Sequence, residues 1–157
     1  MDERLKSVYD ALSLQCAKRE YCVSDIRRKA LQRLEFDASA AEEVVSALVA
    51  DGYVDDRRYA AAYAREKSAL SGWGPVKIRS ALLARGVARD AVLEALDSVD
   101  PERAAAKLEK VLENKWRTLR DDPQGRLKLI RFALSRGYDY EPIRSMIERI
   151  TRPTDED

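Results

Sequence analysis

The sequence has 157 residues, a length that suits one ordinary domain or a few very small ones. Charged residues make up 36% of it, yet 29 basic and 28 acidic residues nearly cancel, so bulk attraction to nucleic acid is not expected. Histidine is absent and only Cys16 and Cys22 are cysteines, which excludes hydrolases built on Ser-His-Asp or Cys-His and a structural zinc site.

These exclusions leave a chain for which we expect no enzymatic activity, no cofactor and no metal. Every acidic residue is first interpreted as a helix cap or as part of a solvated helix face. The sequence has no apolar run long enough to span a membrane and no secretory start. We therefore expect a cytoplasmic protein without membrane contact, in which Cys16 and Cys22 are two reduced thiols.

Apolar residues recur at three- and four-residue spacing, which predicts helices almost throughout and no strand. In chain order the groups are Leu5, Val8, Tyr9, Leu12 and Cys16; Val44, Val45, Leu48 and Val49; Tyr59 and Tyr63; Val92, Leu93 and Leu96; Leu108, Val111, Leu112, Trp116 and Leu119; and Ile143, Met146, Ile147 and Ile150. The pattern predicts about nine helices, with boundaries good to a few residues.

Capping residues mark the expected helix ends. Asp55 is the predicted N-cap of one helix, and Asp56 behind it favours the helix dipole. The pairs Asp100-Pro101 and Asp122-Pro123 are each expected to start a helix, with proline at the first helical position. The glycines expected to end helices in the left-handed conformation are Gly52, Gly86 and Gly137.

The helices form a repeat of roughly fifty residues. Residues 77–96 align with residues 128–147 without a gap, so that Arg85-Gly86 meets Arg136-Gly137. The first third of the chain aligns more loosely and needs four extra residues between its second and third helices. We predict three three-helix repeats, at 1–52, 53–99 and 100–150, followed by a disordered tail at 151–157.

Charge follows the same period. The middle helix of each repeat carries a run of four basic residues with no acid between them. The third helices are acidic: Asp37 to Asp51 holds four acids and no base, and Asp90 to Glu102 five acids and no base. A basic run on one helix is usually a solvated face, but three copies in register favour a shared function. The candidate partner-binding residues are Arg27, Arg28, Lys77, Arg79, Arg85, Lys128, Arg131 and Arg136.

The stretch SGWGPVKIRSALLARGV, residues 71–87, has three interpretations. A phosphate-binding loop would need more glycines and a preceding strand. A structural joint accounts for Trp73 as an apolar plug, Gly74 as a cap and Pro75 as a helix start. A DNA-reading helix fits the basic residues that follow. Tyr53, Tyr59 and Tyr63 could stack on bases, but packing is favoured for aromatic residues at helical spacing.

Two segments, GYVDDRRYAAAYAREK and GWGPVKIRSALLARGV, closely resemble the RecX family of bacterial recombinase regulators. The residues that match the family's motifs are Gly52, Tyr53, Val54, Asp55, Asp56, Tyr59, Ala60, Gly74, Lys77, Ile78, Leu82, Arg85, Gly86 and Val87. We assign a structural role to Gly52, Tyr53, Asp55, Asp56, Tyr59, Trp73, Gly74, Pro75 and Gly86. The resemblance runs from about residue 5 to residue 150. The first repeat departs from it, with Glu35-Phe36-Asp37 where a glycine is expected after Leu34, which bears on the shape of that turn.

The resemblance implies an all-α fold of three tandem, helix-turn-helix-like repeats in an elongated, curved molecule. It also implies binding to the RecA recombinase filament on single-stranded DNA. There the protein would mostly inhibit filament extension, strand exchange and ATPase activity, within DNA repair, recombination and the SOS response. We expect a monomer that binds bare single- or double-stranded DNA weakly. The alternative is a helical module that acts on DNA directly, with a steep salt dependence.

Overall fold

The all-helical prediction is confirmed by the structure, a computed structural model that describes residues 1–153. Those residues contain nine α-helices and no strand. In chain order the helices are α1 Glu3–Lys18, α2 Val23–Arg33, α3 Ala38–Ala50, α4 Asp56–Ser71, α5 Pro75–Ala84, α6 Arg89–Asp97, α7 Pro101–Leu119, α8 Gly125–Ser135 and α9 Tyr140–Thr151. Of the predicted tail, Thr151 is the last residue of α9, and residues 154–157 lie outside the described residues.

Most predicted helix starts are confirmed. The Asp55 carboxylate accepts hydrogen bonds from the backbone N–H of Arg57 and Arg58, at 2.9 and 3.2 Å, and so caps α4. Asp100 caps α7, which begins at Pro101. The expectation for Pro123 is wrong, because α8 begins only at Gly125. The Asp122 carboxylate instead accepts from the N–H of Gln124 at 2.8 Å, within a turn that precedes the helix.

The helices form two compact units. The N-terminal unit comprises residues 1–63 and 82–95, and the C-terminal unit comprises residues 64–81 and the described residues from 96 onwards. The division runs through α4, α5 and α6, so each of these helices contributes residues to both units.

Each unit has an apolar core built from the periodic residues. In the N-terminal unit the buried residues of this core are Leu5, Val8, Leu12, Ile26, Ala30, Leu34, Ala40, Ala41, Val44, Val45, Leu48 and Val54. In the C-terminal unit they are Leu108, Leu112, Leu129, Ala133, Ile143 and Ile147. Val49 and Leu93 belong to the periodic groups but are 44% and 59% exposed, because the buried stripe of a helix is narrower than the run of apolar residues.

The tyrosines of the motif are packing residues. Tyr59 is buried, and its ring centre lies 5.7 Å from that of Tyr63. Tyr53 packs edge-on against Tyr9, with 6.1 Å between ring centres. The hydroxyl of Tyr9 donates a hydrogen bond to Asp51, which raises the pKa of Tyr9 to about 12. Contacts within the protein therefore account for these tyrosines without a bound nucleic acid.

The turn after α2 differs from its counterparts, as the missing glycine suggested. The two aligned turns place a single glycine in the left-handed region, with φ of +80° at Gly86 and +95° at Gly137. Here two consecutive non-glycine residues, Glu35 and Phe36, have φ of +54° and +65°. Such a residue costs about 1–2 kcal/mol relative to the right-handed region. The Phe36 side chain, 74% exposed, makes no core contact that would offset this cost.

Gly74 lies at a backbone-to-backbone contact in the C-terminal unit. Its N–H donates to the carbonyl of Arg136 at 2.6 Å, and the N–H of Val76 donates to the carbonyl of Gly137 at 3.0 Å. A Cβ atom on Gly74 would overlap the carbonyl group of Gly137. Gly74 is therefore required for close approach, whereas of the two glycines beside Trp73 it is Gly72 that is left-handed, with φ of +66°.

The aligned glycines provide a matched test of this contact. A Cβ at position 86 would meet open space, whereas one at position 137 would lie 2.6 Å from the backbone nitrogen of Lys77. We expect Gly86→Ala to lower the free energy of unfolding by about 1 kcal/mol, the cost of a left-handed backbone. Gly137→Ala should lower it by about 3 kcal/mol, because steric overlap adds to that cost. Urea denaturation followed by circular dichroism measures both, and equal losses would contradict the close contact.

Candidate partner-binding site

The eight candidate basic residues lie on, or directly after, the middle helix of each repeat. Arg27 and Arg28 are on α2, Lys77 and Arg79 on α5, Lys128 and Arg131 on α8, and Arg85 and Arg136 directly follow α5 and α8. They are divided between the two compact units. Arg27, Arg28 and Arg85 belong to the N-terminal unit, and the other five to the C-terminal unit.

Three of these cations already pair with acids of their own unit. Arg27 makes a two-pronged contact with Glu42 on α3, at 3.0 and 3.1 Å, which lowers the pKa of the Glu42 carboxyl. The ammonium of Lys128 lies 2.5 Å from Asp122 and lowers the pKa of that carboxyl. Arg28 lies 3.7 Å from Asp25. A partner that bound these cations would first have to break an internal ion pair.

Lys77 belongs to a cluster around Trp73. The Trp73 ring is half-buried, and the ammonium groups of Lys77 and Lys67 lie 4.3 and 4.9 Å from its centre. The backbone carbonyl of Trp73 accepts a hydrogen bond from the hydroxyl of Tyr138 at 3.4 Å, and burial raises the pKa of Tyr138. The Trp73 ring is thus partly packed within the unit and also holds two cations beside it.

Arg85 and Arg136, which precede the aligned glycines, have equivalent surroundings. Each guanidinium lies over an aromatic ring, that of Arg85 at 5.0 Å from the centre of Tyr63 and that of Arg136 at 5.1 Å from the centre of Phe132. Arg136 also donates to the backbone carbonyl of Ser71 at 3.2 Å. These two arginines therefore contribute to packing of the turn as well as to surface charge.

Three exposed arginines of the C-terminal unit have no such partners. Arg79 on α5, and Arg126 and Arg131 on α8, form no ion pair, hydrogen bond or ring contact through their side chains with any of residues 1–153. Their guanidinium groups are available to bind carboxylates or phosphates without loss of an internal contact. Within the predicted basic set, Arg79 and Arg131 thus differ from the six cations that already have contacts.

The acidic third helix of the second repeat, α6, is partly neutralised by a residue that sequence reasoning missed. Arg57, on α4, contacts both Asp90 and Glu94 on α6. The bond to Arg57 lowers the pKa of Asp90. The sequence shows only that Arg57 follows two aspartates, so its pairing with residues more than thirty positions away required the folded structure.

Residues 1–153 contain no cluster of three or more side chains suited to hold a metal ion. No helix among them has both the length and the apolar character needed to cross a membrane. Cys16 and Cys22 are not bonded to each other, and burial raises the pKa of both thiols.

Charge reversal should separate paired cations from unpaired ones. Arg27→Glu places a second carboxylate beside Glu42, and we expect it to lower the free energy of unfolding by about 1 kcal/mol. Arg79→Glu breaks no contact and should change it by less than about 0.5 kcal/mol. Urea denaturation of both variants tests this, and an equal effect would mean that the Arg27–Glu42 pair contributes nothing in solution.

Comparison with known proteins shows which family this chain resembles. The family descriptions "RecX, second three-helix domain" and "RecX, third three-helix domain" match residues 55–96 and 102–147. A regulatory protein RecX from Chromohalobacter salexigens is 34% identical over 141 residues, which cover 86% of this chain and 86% of that protein. One from Clostridium perfringens strain 13 is 29% identical over 154 residues, covering 96% of this chain and 71% of that protein.

The solved structures agree on the fold. The crystal structure of RecX from Lactobacillus salivarius, at 18% identity, superposes with a TM-score of 0.76 over 96% of this chain and 98% of that chain. The tandem three-helix repeats, the matches to two RecX domains and the identity along most of the chain lead to one conclusion. This chain belongs to the RecX family of regulatory proteins.

Proposed function

We propose that this chain binds RecA recombinase filaments on single-stranded DNA and mostly inhibits their extension, strand exchange and ATPase activity. It would thereby regulate homologous recombination and DNA repair in the cytoplasm, within the SOS response, as a monomer with no catalytic step of its own. The observation that carries the proposal is the similarity, along 86% or more of the chain, to proteins named regulatory protein RecX.

The distribution of partners among the basic residues supports a specific binding surface. A filament on DNA presents protein carboxylates and DNA phosphates, and an arginine binds either through paired N–H donors. Arg79 and Arg131 can bind such a group without first breaking an internal contact, because neither has an internal partner among residues 1–153. Of the eight candidate residues, Arg79 and Arg131 are therefore the ones we most expect to contact a partner directly.

The repeat supports an action on a repeating partner. A filament presents the same surface once per protomer, and this chain carries a basic middle helix in each three-helix repeat. Several weak contacts on one chain bind more tightly together than any of them alone, because later contacts form within one complex. Inhibition would then follow from holding neighbouring protomers in one arrangement.

Direct action on DNA is the second candidate, and the surroundings of Trp73 favour it. A half-buried indole with two lysine ammonium groups within 5 Å combines an aromatic ring with positive charge, as single-stranded DNA-binding surfaces do. The two candidates differ in what is bound without the recombinase. A DNA-binding module binds DNA alone, whereas a filament regulator needs RecA for tight binding.

The unpaired arginines give the first test. We expect Arg79→Glu with Arg131→Glu to raise the concentration needed for half-inhibition of the RecA ATPase on single-stranded DNA by about tenfold at low salt, and by less at high salt. Melting should be unchanged, because neither residue has an internal ion pair. The matched control is Lys110→Glu with Arg117→Glu, two exposed cations of α7 outside the basic set. If the variant with Arg79→Glu and Arg131→Glu inhibits RecA as strongly as wild type at both salt concentrations, these two arginines do not bind the filament.

Binding to DNA alone gives the second test. We expect weak binding to a fluorescent oligo-dT at about 50 mM salt and none measurable at about 200 mM, because phosphate contacts are lost as counterions compete. Inhibition of RecA should persist at the higher salt. Fluorescence anisotropy measures the first quantity and ATP hydrolysis the second. Tight binding to DNA alone that falls with salt in parallel with inhibition would favour direct action on DNA.

A further inference from the structure

An apolar cavity of about 370 Å³ opens on the surface of the C-terminal unit. Its inner wall includes Ile78, Leu108 and Ile143, each only 2% exposed. The Trp73 and Tyr138 rings also line it. The small side chain of Ala105, on α7, is exposed and lies in its wall. The cavity is near the lower end of the range for ligand pockets, about 300–1,000 Å³, and so suits one or two side chains.

A smaller cleft of about 210 Å³ adjoins the cavity, since both are lined by Ser68, Val99 and Ala104. This cleft holds the exposed side chains of Arg65 and Arg103, neither of which forms an ion pair with any of residues 1–153.

The acid that lines the cleft, Asp100, forms no ion pair with either of those arginines. The carboxylate of Asp100 accepts the backbone N–H groups of Glu102 and Arg103, at 3.0 and 3.5 Å, as the cap of α7. Lys67 and Lys77, beside Trp73, add positive charge around the cavity. An apolar cavity thus stands next to a cationic cleft.

This arrangement defines the chemistry of an occupant. Its apolar part must fill the cavity, and an acidic part must reach Arg65 and Arg103. A nucleotide fits poorly, because few polar groups line the cavity, so the hydrogen-bonding edge of a base would be buried there without partners. A protein segment with carboxylates on both sides of an aromatic or aliphatic residue meets both requirements.

We propose that the cavity and cleft together bind an acidic peptide segment that inserts one apolar side chain. The inserted side chain packs against Ile78, Leu108 and Trp73, while Arg65 and Arg103 bind the neighbouring carboxylates. An apolar anchor surrounded by polar contacts is the usual source of affinity in protein interfaces. The assignment of this segment to the recombinase rests on the function proposed above, whereas the peptide chemistry rests on the site itself.

Trp73 can report on occupancy. The chain has two tryptophans, so Trp116→Phe leaves Trp73 as the sole one, in the wall of the cavity. In that background we would titrate the capped peptide Glu-Asp-Phe-Asp-Glu and follow the fluorescence. We expect a saturable change in emission. Replacement of the peptide's Phe by Ala, or of its four acids by Lys, should weaken binding about tenfold or more.

Variants of the protein locate the binding. Ala105→Phe fills the cavity and should abolish the fluorescence change, whereas Ala106→Phe, one residue away on α7 and outside the cavity, should not. Arg65→Glu with Arg103→Glu should weaken binding about tenfold or more, whereas Lys110→Glu with Arg117→Glu should not.

Several outcomes would overturn the proposal. If the Ala peptide binds as tightly as the original, the apolar side chain contributes nothing. If the Lys peptide does so, the carboxylates contribute nothing. Wild-type binding by Ala105→Phe would place the peptide elsewhere. Tighter binding of laurate or oligo-dT, or self-association of the chain that Ala105→Phe removes, would assign the site to another occupant.

The RecA ATPase assay keeps this proposal distinct from the proposed function. If wild type binds the peptide but does not inhibit RecA, the regulatory function fails and the peptide site stands. If Ala105→Phe loses the peptide and inhibits RecA as well as Ala106→Phe does, the regulatory function stands and the assignment of the segment to RecA is overturned.

Discussion

Four consecutive charged residues at the start of α4, Asp55 to Arg58, connect this helix to α2, to α6 and to the links that follow α1 and α3. Asp55 caps α4, and Asp56 accepts the N–H of Val23 at 2.8 Å, which caps α2 where that helix has no capping side chain of its own. Arg57 binds two acids of α6, and Arg58 binds Glu20 at 2.7 Å and the carbonyl of Gly52 at 3.1 Å. Individually such exposed contacts contribute little. Together they fix where four separate chain segments meet, which apolar packing alone does not specify.

The C-terminal unit depends on backbone contacts instead. The N–H groups of Gly74 and Val76 bond to consecutive carbonyls at the turn after α8, and the absence of a Cβ on Gly74 permits that approach. Trp73 directly precedes this backbone contact in the chain, and its ring contributes to the wall of the apolar cavity. The same short stretch therefore sets both the packing of α5 against the turn and the shape of the cavity.

The fold could be predicted from the sequence because its signals are local. Helical periodicity, aspartate caps and the aligned Arg-Gly pairs each depend on neighbours within a few residues, and the structure confirms them. Pro123 misled the prediction because Asp122 can stabilise a turn as well as a helix start. The sequence could not predict which basic residues pair with an acid of the same chain and which do not. Arg27 and Arg79 look alike in the sequence, and only the fold brings Glu42 to one and no acid among residues 1–153 to the other.

The left-handed residues Glu35 and Phe36 have a consequence for what holds the first turn together. In an unfolded chain a glycine visits the left-handed region about as often as the right-handed one, whereas two successive non-glycine residues rarely occupy it together. The link between α2 and α3 is therefore almost never preformed. Local preference therefore contributes little to this turn, and the shared apolar core of α2 and α3 holds it in place. At the aligned turns, the left-handed residue is a glycine and local preference supports the turn.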